Sequence, residues 1–134
     1  MFKTIILIPF ILLVSLQIQA QDSTIPAEVV EVRSFGSWET SEQSGHYRIV
    51  IKQYGYEHVK NTVFIQWIAE LEEGNSLIKS VPISEVNDPN VYAVGIKKID
   101  GKNLKLSLTD TYTMEDSSIE IIVALPGKYK VSAV

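Results

Sequence analysis

His46-Tyr47-Arg48-Ile49-Val50-Ile51-Lys52-Gln53-Tyr54 and, nine residues on, Val63-Phe64-Ile65-Gln66-Trp67-Ile68-Ala69 both alternate with a period of two. Successive side chains of a strand point to opposite faces, so this pattern marks two half-buried strands. Tyr47, Ile49 and Ile51 share one face of the first segment, and Val63, Ile65 and Trp67 share one face of the second. A slip of one residue would turn every one of them to the wrong side. Setting Tyr47 against Trp67, Ile49 against Ile65 and Ile51 against Val63 satisfies both and leaves a loop from Gly55 to Val59. The opposite face then carries the pairs Val50–Phe64, His46–Ile68, Arg48–Gln66 and Lys52–Thr62. Three apolar residues there, Val50, Phe64 and Ile68, sit where an antiparallel sheet is normally wet.

The same signals continue outward. Val29–Phe35, Leu77–Ile83, Val91–Lys98, Leu104–Tyr112, Ile119–Leu125 and Tyr129–Val134 read as further strands, separated by Gly, Pro, Asn and Asp. Short strands at this spacing predict an all-β fold, a two-sheet antiparallel β-sandwich, with immunoglobulin-like topology favoured over a closed barrel. Tyr92, Val94 and Ile96 must share a face with Leu104, Leu106 and Leu108. Pairing Ile96 with Leu104 gives a three-residue loop, Ile99-Asp100-Gly101, ending in a glycine suited to the left-handed region. No window carries a capped helical stripe. Trp67 reads as core, and Trp38 either as a cap on the core or as an exposed stacking platform, the cap being favoured.

The 134 residues hold no cysteine, are 46% hydrophobic and carry a formal net charge of −4. Much of the hydrophobicity lies in residues 1–20. Lys3 precedes an apolar run from Ile5 to Leu16, which turns polar and ends at the small residue Ala20. That order predicts a secretory signal peptide cleaved before Gln21, too short and too interrupted by Pro9 to be a permanent span. The expected organisation is a leader over 1–20, a loose segment over 21–27 and one domain over 28–134. No later stretch is long enough to cross a membrane as a helix, so the expected location is periplasmic or extracellular. Without cysteine, disulfides and thiolate metal sites are excluded and core packing alone must hold the fold. Residues 21–90 carry 5 basic and 11 acidic groups, and residues 91–134 carry 6 and 5. An acidic exported chain lacks the dense basic footprint that nucleic acid requires.

Two surfaces carry mixed chemistry. The outer cluster of Val50, Phe64 and Ile68, flanked by His46, Arg48 and Gln66, reads as a contact patch for a protein partner or a second copy. It reads equally as a face covered by a loop or the N-terminal segment, or buried on both sides. The loop Tyr54-Gly55-Tyr56-Glu57-His58 offers two phenols, a carboxylate and an imidazole at one end of the sheets, where loops commonly bind. Its plainer reading is a solvated hairpin loop. His46 and His58 are the only histidines and share no ligand spacing, so neither metal nor cofactor is expected. No G-x-S-x-G elbow occurs, and no catalytic residue is assigned with any specificity.

Ala124-Leu125-Pro126-Gly127-Lys128-Tyr129-Lys130-Val131 resembles the Pro-Gly-x-Tyr turn that opens a strand in many immunoglobulin-like and prealbumin-like sandwiches. The resemblance implies that Tyr129 and Val131 face inward, and nothing about activity. The expectation is an exported, non-catalytic binding or assembly module that uses either the sheet face or the hairpin loop. The alternatives are a carbohydrate-binding module using Trp38, Tyr54 and Tyr56, and a small hydrolase using Glu57 and His58.

Overall fold

Eight strands form two four-stranded antiparallel sheets in the computed structural model, which describes residues 24–88 and 91–133. The first sheet is β1 (Val29–Glu39), β2 (Ser44–Tyr54), β3 (Lys60–Leu71) and β4 (Gly74–Pro82), in that spatial order. A helical turn α1 (Ser84–Asn87) follows. The second sheet is β5 (Tyr92–Asp100), β6 (Asn103–Asp110), β7 (Asp116–Val123) and β8 (Tyr129–Ala133), again in chain order. The expected leader, residues 1–20, lies outside the described residues.

The two-sheet sandwich is therefore as expected, but the strand order is two successive meanders. An immunoglobulin-like topology requires Greek-key connections that send strands between the sheets. Here each hairpin returns beside its predecessor, so that part of the expectation is corrected. Alternation and turn spacing identify strands without stating which sheet receives the next one.

The β2–β3 register is the one derived from parity, from Tyr47↔Trp67 through Val50↔Phe64 to Lys52↔Thr62. The β5–β6 register is not. Ile96 opposes Leu106, Val94 opposes Leu108, and a bulge between Ile96 and Lys98 shifts the remaining pairs to Ile99↔Leu104 and Asp100↔Asn103. The connection is a two-residue turn, Gly101-Lys102, with Gly101 at φ +56. Glycine at the first central position is the type II′ preference, which follows the twist of the flanking strands. The bulge preserves the predicted face and adds Ile99 to it, which packs against the core.

The core lies between the sheets. Tyr47, Ile49, Ile51, Val63, Ile65 and Trp67 of the first sheet meet Leu104, Leu106, Leu108, Ile119, Ile121 and Val123 of the second. Tyr92, Val94, Ile96, Tyr129 and Val131 close its margin half-buried. Each large apolar side chain removed from water contributes about 1.5–3 kcal/mol. Phe35, Trp38, Ile83 and Val86 join this cluster, although the alternation of β2 and β3 did not point to them. Trp38 is only 2% exposed and donates its indole N–H to the His46 carbonyl at 3.0 Å. It is a cap on the core and has no free ring face for a ligand.

Polar groups tie the layers at two points and close the end of the first sheet at a third. Tyr47 Oη and Trp67 Nε1 both donate to the Ala124 carbonyl, at 3.1 and 2.9 Å. Asn61, nearly buried, donates to the Lys52 carbonyl and accepts the Val94 amide of the second sheet. Asn87 accepts the Val63 amide at 2.8 Å and donates to the Val63 carbonyl at 3.0 Å. Its side-chain amide thus stands in for a strand partner just beyond Pro82, where β4 has ended.

Candidate functional site

The outer face of the first sheet carries Val50, Phe64 and Ile68 as predicted, but its polar neighbours lie across them. Val50 is 8% exposed and Ile68 is 3% exposed, while Phe64 is half-buried. Arg48 Nε donates to Gln66 Oε1 at 2.8 Å, and Gln66 Nε2 donates to Ser80 Oγ at 3.3 Å. These side chains form a polar row across β2, β3 and β4. Lys52 places its ammonium 5.4 Å from the Phe64 ring centroid, within cation–π range. His46 Nδ1 lies 2.9 Å from Glu70 Oε1. A shallow recess beside Val50 is rimmed by Ile25, Pro26, Val29 and Val32, so the segment leading into β1 narrows access from that side. Val32 and Phe64 stand opposite Val50, and His46 and Leu77 stand opposite Ile68.

The Tyr54–His58 loop is arranged differently. Tyr56 is 96% exposed and Tyr54, Glu57 and His58 are also exposed. The loop leans on the β6–β7 turn of the other sheet. His58 Nδ1 donates to the Thr111 carbonyl at 3.2 Å, and its ring stacks on Tyr112 at 3.8 Å between centroids and 14° between planes. Tyr112 is itself 65% exposed. Tyr54, Tyr56, His58, Tyr112 and Met114 thus crowd one end of the sandwich.

The turn that presents Tyr112 is built from its first residue. Asp110 accepts the backbone amides of Tyr112 at 2.8 Å and Thr113 at 3.0 Å. Those two amides, Thr113 first, hold the Asp110 carboxyl below its ordinary range. Thr113 Oγ1 accepts the Glu115 amide, and the Met114 amide reaches back to the Asp110 carbonyl. Thr111 bonds to the Val91 carbonyl through both its amide and its hydroxyl. Met114 has φ +62, a left-handed conformation rare for a residue with a β-carbon. The result is a braced loop that holds Tyr112 and Met114 outward. Beside it a shallow hollow is lined by Tyr92, Asp110, Glu115, Asp116 and Ser117.

Sequence reasoning placed Tyr54, Tyr56, Glu57 and His58 in a candidate site but not Tyr112 or Met114, and it read Asp110 to Asp116 as a turn. The Asp110-Thr-Tyr-Thr spacing, an acid two and three residues before its amide partners, was the available signal for a capped turn. A hydrolase reading would need Glu57 to orient His58, yet the partner of His58 Nδ1 is a backbone carbonyl and its ring is occupied by Tyr112. Among the described residues no three His, Cys, Asp or Glu side chains gather to hold a metal ion. No helix among them is long and apolar enough to cross a membrane. No family model matches the sequence, and neither the curated proteins nor the solved structures contain a match.

Proposed function

We propose that this chain is an exported, non-catalytic binding module whose contact surface is the loop end carrying Tyr54, Tyr56, His58, Tyr112 and Met114. Export rests on the leader-like residues 1–20. The observation that supports the surface is the His58–Tyr112 stack, which locks a loop from each sheet and leaves Tyr56 and Tyr112 in solvent. Exposed rings on braced loops suit recognition for two reasons. Tyrosine offers a large amphipathic contact area with few torsions to freeze. A loop already held in shape loses little further freedom on binding.

The sheet-face alternative is weaker because Val50 and Ile68 are already buried among their strand neighbours, Val32 and Phe64 beside Val50 and His46 and Leu77 beside Ile68. The test is retention on the immobilised domain, using a native envelope fraction and a glycan array. Tyr56→Ser/Tyr112→Ser should abolish retention while lowering the melting temperature by only the few degrees that loss of one aromatic pair costs. Equal retention by the wild-type and doubly substituted proteins would reject the loop end.

A further inference from the structure

We infer that the loop end recognises a cationic partner, an arginine-rich peptide segment, through its tyrosine faces and the carboxylates around them. This inference rests on the loop-end surface proposed above and adds the chemistry of its occupant. Two independent features support it. The first is the supply of ring faces. One face of Tyr112 is covered by His58, the rest of its ring is solvated, and Tyr56 is almost wholly exposed. A guanidinium stacks on such faces more readily than an ammonium does, because it is planar and weakly hydrated.

The second feature is charge. Residues 54–60 and 110–117 contain Glu57, Asp110, Glu115 and Asp116 against a single lysine, Lys60. Glu57, Glu115 and Asp116 are exposed. Asp110, Glu115 and Asp116 line the hollow beside Tyr112, within the same turn that presents the ring. An anion or an acidic peptide would meet repulsion there. A second copy of this chain fits poorly as the occupant. At its lysine-bearing hairpin tip, Lys102 already shares a recess with Glu39 and Glu70, and Lys98 and Lys105 share another with Asp100 and Glu120.

The probes are fluorescein-labelled octa-arginine, octa-lysine and octa-glutamate peptides, titrated against the leaderless chain at low salt. Octa-arginine should bind more tightly than octa-lysine, and octa-glutamate should not bind. Tyr56→Ser/Tyr112→Ser keeps every charge and should weaken octa-arginine binding roughly 5–30-fold, from about 0.5–1 kcal/mol for each exposed cation–π contact. Glu57→Gln/Glu115→Gln, which keeps every ring, should also weaken it. Amide shift changes should concentrate at residues 54–60 and 110–117.

No octa-arginine binding would overturn the inference. Binding undiminished by loss of both rings would do the same, because net charge alone would then explain it. A glycan retained by the wild-type chain and lost with the rings would keep the loop end as the binding surface but refute the cationic partner. So would a dimer in sedimentation that depends on Tyr112.

Discussion

Asn87→Ala removes one amide that does the work of a missing strand. In the native chain Val63 has no exposed surface, and its N–H is satisfied by Asn87 Oδ1 at 2.8 Å. Alanine leaves that donor buried and unpaired, which costs about 1–3 kcal/mol. The Val63 carbonyl also loses Asn87 Nδ2 but keeps the Ile83 amide at 2.9 Å. That loss is the smaller one, about 0.5–1.5 kcal/mol. Together they predict a destabilisation of about 1.5–4.5 kcal/mol. For a domain near this size that corresponds to a melting temperature lower by roughly 6–18 °C. Urea unfolding followed by tryptophan fluorescence gives the free energy directly, and an unchanged denaturant slope would place the loss in the native state. Asn75→Ala, at an exposed position of β4, serves as the control with little effect. If Asn87→Ala cost less than about 0.5 kcal/mol, water or a shifted β4 would have to satisfy Val63, and the strand-partner reasoning would fail.

Three further outcomes follow from the contacts described. Burial raises the pKa of Tyr47 above its ordinary 10.0. The stability this contributes is full below pH 10 and is lost as pH rises through the raised value, so Tyr47→Phe should flatten the alkaline limb of a melt series while costing about 0.5–1.5 kcal/mol at neutral pH. Asp110 shifts the other way, held low by the Thr113 and Tyr112 amides, so its contribution is present above the ordinary 3.8 and is lost as pH falls through the lowered value. Protection of the Tyr112 and Thr113 amides, measured against their intrinsic exchange rates, should fall over that acid range, and Asp110→Ala should remove this pH dependence. Phe64→Ser should lower the melting temperature without changing sedimentation mass, because Phe64 packs under Lys52 on the chain's own surface; a change in mass would restore the sheet face as an interface.

The parts of the fold that were legible in the sequence are those where one periodicity decides one face. Tyr47, Ile49 and Ile51 against Val63, Ile65 and Trp67 allow a single register, and the structure has it. The β5–β6 hairpin obeys the same parity, yet its pairs lie two residues away from the derived ones because the bulge between Ile96 and Lys98 alters the count without altering the face. The four-residue α1 is too short to display a helical period, so Val86 and Asn87 gave no sign of burial. In the candidate site, local composition marked Tyr54 to His58. Tyr112 escaped because its stacking partner His58 is distant in sequence and comes from the other sheet, a relation that only sheet docking creates. The apolar residues on the outer face and the Arg48–Gln66 pair beside them were visible, but the place of Ser80 in the same row was not. Arg48, Gln66 and Ser80 line up only once three strands are in register.

The paired meanders also bear on how the molecule assembles. Residues 29–82 make one sheet and residues 92–133 make the other, so every ladder joins strands adjacent in the chain. Ordering each half closes only short loops, which is a local problem by the standards of all-β proteins. The demanding event is the meeting of the halves, since until then each sheet keeps an apolar face in water. The species most prone to aggregate is therefore a chain with both sheets drawn and not yet docked. The aromatic clasp on the Ala124 carbonyl, made by Tyr47 and Trp67, closes only at that step.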